Sequence, residues 1–114
     1  MLAVIFELEP VAERKQDYLD LAAQLGQQLV AIDGFISIER FESLAQPGKL
    51  LSLSFWRDEA AISTWRNLEQ HRSAQRAGRD GIISDYRLRV ATVIRDYDMQ
   101  NHDTAPDDSK NFHG

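Results

Sequence analysis

The sequence predicts an α+β domain of the ferredoxin-like, split βαβ kind. Four short segments alternate apolar and polar residues, and two longer ones repeat apolar residues every three or four positions. Their order is strand, helix, strand, strand, helix, strand. That order folds as an antiparallel four-stranded sheet with both helices on one face.

The first strand is LAVIFELE (2–9), stopped by Pro10, which cannot continue a ladder. A helix is expected over 11–32, where Tyr18, Leu21, Ala22, Leu25, Leu29 and Ile32 form one apolar stripe. Gly26 inside it costs about 1 kcal/mol against Ala, so either the helix tolerates it or something packs closely there. Asp33-Gly34 breaks the helix. FISIERFES (35–43) and KLLSLSFWR (49–57) flank LAQPG and read as a hairpin. Asp58 then offers an N-cap acceptor to a second helix whose stripe is Ala61, Ile62, Trp65 and Leu68, with Gly78 as its stop. The last strand covers 84–97.

Neither face of these strands is cleanly polar. Leu2, Val4, Phe6 and Leu8 oppose Ala3, Ile5 and Glu7, while Leu51, Leu53 and Phe55 oppose Leu50, Ser52, Ser54 and Trp56. Ile36 and Ile38 oppose Phe35 and Phe41; Tyr86, Leu88, Val90, Thr92 and Ile94 oppose Arg87, Arg89, Ala91 and Val93. Helices over one face require only that face to be apolar, so the second face is expected to be an interface, covered by the sheet of a second copy in a homodimer.

Composition narrows the function. A chain of 114 residues makes one domain, placed at 1–97, followed by a polar, acidic, disordered tail at 98–114. The formal net charge of −5 argues against a nucleic-acid partner, because phosphate binding needs surplus cations. The chain has no Cys, which removes thiolate nucleophiles and Cys-based metal sites. No apolar run approaches a membrane span and no basic leader precedes the first strand, so a cytoplasmic protein without a membrane partner is expected.

Candidate chemistry gathers in STWRNLEQHRSAQRAGR (63–79). His71 is the one imidazole expected inside the domain, and its ordinary pKa suits proton transfer near neutrality. Trp65, nearly two helical turns earlier, offers a flat wall and an indole N–H to a planar substrate, although its place on the burial stripe is equally that of a core residue. Arg72 and Arg76 share a helix face that could meet an anion or simply face water. Phe6, Phe55 and Tyr86 are the candidates for an apolar wall. His102 and His113 fall in the tail, and no phosphate-loop spacing or metal-ligand pair exists, so neither metal nor cofactor is expected.

The runs GFISIERFES, GKLLSLSFWRDEAAISTWRNLEQHRSAQRAGR and DYRLRVATVIRDY together resemble the antibiotic biosynthesis monooxygenase family of small dimeric α+β barrel proteins. The resemblance spans roughly 2–97. It implies a homodimer through the sheet faces and a ligand pocket between sheet and helices. It also implies cofactor-independent oxidation of a small aromatic or polyketide-like molecule, in which the deprotonated substrate supplies electrons to O2. The alternative within the fold is a small-ligand binding protein or a non-oxidative isomerase or lyase-like enzyme. The haem-degrading branch carries an Asn near the end of the first strand and a ligating His ten residues after the helix Trp. Gln75 stands at the His position and the Asn position falls on or beside Glu7, so the resemblance implies no haem.

Overall fold

The computed structural model describes residues 1–68 and 81–101. Within them run β1 (Leu2–Pro10), α1 (Lys15–Leu29), β2 (Phe35–Glu42), β3 (Leu50–Trp56), α2 (59–68) and β4 (Ile83–Thr92). The sheet is antiparallel throughout, in the order β2-β3-β1-β4. This is the ferredoxin-like arrangement that the alternation predicts.

Register decides which side chains meet the helices. Val4 lies opposite Ser54 and Val90, Phe6 opposite Ser52 and Leu88, and Leu8 opposite Leu50 and Tyr86. Directly paired residues share a face, so these rows form one surface. Two apolar clusters join it to the helices. Leu8 and Leu50 pack with Tyr18, Leu21 and Ala22, while Val4 and Trp56 pack with Leu29, Ala61 and Ile62. Both helices therefore lie on one face, and Ile5, Leu51, Leu53 and Phe55 face the other.

Local chemistry sets the element ends. α1 is shorter than its apolar stripe suggests: Glu13 takes a left-handed φ of 73° and the Arg14 N–H donates to the Val11 carbonyl, making 11–14 a turn. At its end, Ile32 closes a further turn on Leu29 and still packs inward. The Asp58 carboxylate accepts from the Ala61 N–H at 3.0 Å, capping α2 as its sequence position predicts. β4 stops at Thr92 rather than continuing to 97, and Gln100 and Asn101 donate to the Asp98 carboxylate in a turn beyond it. Gly78 and residues 102–114, which hold most of the expected tail, lie outside the described residues.

The alternation in β2 needs correction. Register slips between Phe35 and Ser37, one extra residue against β3. Phe35 and Ile38 both pack inward, while Ile36 stands 51% exposed instead of sharing Ile38's face. No described helix is long and apolar enough to cross a membrane.

Candidate functional site

Trp56 is fully buried at the end of β3, its indole N–H donating to the Ser54 hydroxyl at 2.9 Å. Phe35 meets it edge-on, with centroids 5.2 Å apart. Trp65, nearly two turns into α2, lies over it at 5.4 Å and 32°. Trp65 also lines a cavity beneath α1.

That cavity, about 50 Å³, is bounded by Tyr18, Leu21, Ala22, Leu25 and Leu29 of α1, by Phe6, Ile38, Arg40 and Ser52 of the sheet, and by Trp65 and Ile83. Its origin is a row across the sheet: Arg40 lies opposite Ser52, which lies opposite Phe6. Ser52 is the small member of that row and leaves unfilled space between its neighbours. One or two waters would fill the volume.

Arg40 is the unusual wall. Its Nη2 donates to the Ala22 carbonyl at 3.4 Å, a long contact, and its Nε is buried without a partner. A buried unpartnered donor costs about 1–3 kcal/mol, more when charged. Among the described residues no carboxylate lines the cavity and no ion pair involves Arg40. The acidic neighbours on β2 are engaged or turned away. Glu42 pairs with Lys15, and Glu39 lies opposite Leu53 on the far face.

The structure brings only some of the sequence candidates together. Phe6 and Trp65 line the cavity. Tyr86 touches Phe6 with centroids 5.7 Å apart, but on the edge strand it is 65% exposed and outside the lining. Phe55 pairs with Ala3 and lies on the opposite face, so it cannot share a wall with Phe6. His71, Arg72 and Arg76 lie outside the described residues. Arg40 and Ser52 were missed, although Ile38 and Arg40 share a period-two phase, and a charge on an inward phase is a usable signal. Among the described residues no three His, Cys, Asp or Glu side chains converge as metal ligands would.

The antibiotic biosynthesis monooxygenase sequence profile matches residues 1–77. The chain belongs to the antibiotic biosynthesis monooxygenase family. It is 50% identical over 93 residues to the jasmonate monooxygenase ABM of Pyricularia oryzae, covering 82% of this chain but 43% of that protein. The chain thus spans less than half of that relative's length. Solved structures share the fold. A Deinococcus radiodurans protein superposes with a TM-score of 0.74 at 19% identity, over 86% of this chain and 97% of its own. SnoaB, a cofactor-independent oxygenase from Streptomyces nogalater, gives 0.67 at 12% identity, over 83% and 94%.

Proposed function

We propose that this chain is a cofactor-independent monooxygenase acting on a small, largely apolar molecule of the aromatic or polyketide-like kind. The observation that carries the reading is the cavity walled by Trp65, Phe6 and α1, in a chain half identical to a protein named as a monooxygenase. With a phenol as substrate the reaction balances without a cofactor. The ring C–H carbon becomes a carbonyl, O2 supplies its oxygen, and the other oxygen atom leaves as water with the phenolic and ring protons. Loss of the phenolic proton raises the electron density offered to O2. The described lining holds no carboxylate or imidazole to accept that proton, and His71 is assigned the role. Trp65 and Phe6 offer the ring apolar faces to lie against, outside a void too small to enclose it.

The assembly proposed with it is a homodimer joined through the sheet face that carries Ile5, Leu51, Leu53 and Phe55. These side chains remain partly exposed, and Phe41 is 45% exposed. Glu7 supports that face with two cations: Arg89 Nη1 donates to it at 3.1 Å and Lys49 Nζ lies at 3.9 Å.

Oxygen uptake on a panel of quinols tests the function. Uptake that disappears in Trp65→Ala/His71→Ala supports it; none above that double variant removes it. In that case, ligand binding without turnover identifies a small-ligand binding protein, and anaerobic turnover an isomerase or lyase-like enzyme.

A further inference from the structure

Arg40 is not explained by packing. A strand residue facing a helix layer is ordinarily apolar, and its inward neighbour Ile38 is. Here Arg40 lies under α1 with its Nε buried and without a partner, and it lines a void that Ser52 leaves open, among described lining residues that include no acid. Proteins rarely leave a buried cationic donor unmatched, and where one stands near empty space a water or an arriving ligand group is its partner.

We propose that Arg40 anchors a carboxylate, and that the ligand of this cavity is a small apolar organic acid. The inference rests on reading the cavity as the ligand site. A guanidinium presents parallel N–H groups that match two carboxylate oxygens, and Arg40 is the one cation among the described residues of the lining. The volume suits this division of labour. About 50 Å³ admits a head group and not a ring system. The apolar body of the ligand lies against Phe6, Leu25 and Trp65, which line the cavity and are all partly exposed. Ser52, directly opposite Arg40, keeps the space beside the guanidinium free and places a hydroxyl within the same lining.

The test is a matched pair of probes, 1-naphthaleneacetate and its neutral amide, titrated into the full chain by calorimetry at pH 7 under nitrogen. The acid is expected to bind at least about tenfold more tightly than the amide. In Arg40→Gln the two affinities converge, with the amide's nearly unchanged. Arg40→Lys, which keeps the charge without the fork, retains a reduced preference and serves if Arg40→Gln fails to fold by circular dichroism. Equal affinities in the unaltered protein, no binding of either probe at millimolar concentration, or an acid preference that survives Arg40→Gln overturns the proposal. Oxygen chemistry plays no part in these titrations. Acid-selective binding without oxygen uptake on any substrate removes the oxygenase and leaves the carboxylate site. Uptake on neutral quinols that Arg40→Gln leaves unchanged, with no acid preference, does the reverse.

Discussion

Trp65 stacks on Trp56 with ring centroids 5.4 Å apart and planes 32° from parallel, so one ring is both core and cavity wall. Trp65→Ala is expected to destabilise the fold by about 2–3 kcal/mol, less than full burial would cost because Trp65 is only partly covered. Urea unfolding measures it. Trp65→Phe keeps a ring over Trp56 and should cost about 1 kcal/mol. Equal losses for both would show that ring contact with Trp56 contributes nothing.

Gly34 adopts φ +94°, and a Cβ there would stand 2.8 Å from the Ala61 Cβ, a group with no freedom to rotate away. Gly48 has a similar φ of +91° with nothing within 4 Å. Gly48→Ala therefore carries the backbone cost alone, about 1 kcal/mol, while Gly34→Ala adds overpacking of about 1–3 kcal/mol. Denaturant midpoints of the two variants should differ in that order. Equal midpoints would mean that the α1–β2 connection shifts freely off α2.

Gly26 meets nothing within 4 Å of a would-be Cβ, so α1 tolerates this glycine rather than using it for close packing. Gly26→Ala is expected to stabilise the protein by about 0.5–1 kcal/mol through helix propensity and a less flexible unfolded chain. A thermal melt reads this as a rise in midpoint; a fall would reveal a requirement for glycine there.

The Asp58 carboxyl is held below its ordinary value, first by the Arg57 side chain, whose Nε donates to it at 2.9 Å, and next by the Ala61 N–H. Arg57 also grips Asp33 through both terminal nitrogens, at 3.2 and 3.1 Å, tying the α1–β2 connection to the start of α2. A depressed folded-state pKa contributes stability above the unfolded value that is lost as pH falls through the folded one. Asp58→Ala should thus lower the melting midpoint at pH 7, and the gap should narrow below about pH 4. A gap that stays constant down to pH 2 would assign the loss to packing rather than to the carboxylate.

Leu53 sits on β3, one of the two central strands, with its side chain on the face away from the helices. If that face joins two copies, Leu53→Asp places a charge within the apolar contact and should yield monomers by sedimentation equilibrium at micromolar concentration. Circular dichroism should be retained. A monomeric unaltered protein removes the proposed assembly.

The α1 stripe, the alternation in β1 and β3, the hairpin and the Asp58 cap are legible in the sequence because each depends on neighbours within a few residues. Leu68 of the expected α2 stripe, by contrast, is 37% exposed. Periodicity reports a face without knowing what covers it. Tyr18, Leu21, Ala22 and Leu29 are accordingly buried as their spacing predicts. What spacing could not supply was register. The extra residue at Phe35–Ser37 turns Ile36 outward and leaves Phe35 and Ile38 inward, and an insertion of that kind exists only relative to a partner strand. Phe6 and Phe55 are both aromatic strand residues in the sequence, and only the pairing of Phe6 with Ser52 and Phe55 with Ala3 puts them on opposite faces. The same pairing sets Arg40 beside the small Ser52 and beneath α1. An arginine becomes a binding candidate when burial removes its water and leaves a donor unmet, and burial belongs to the tertiary structure alone.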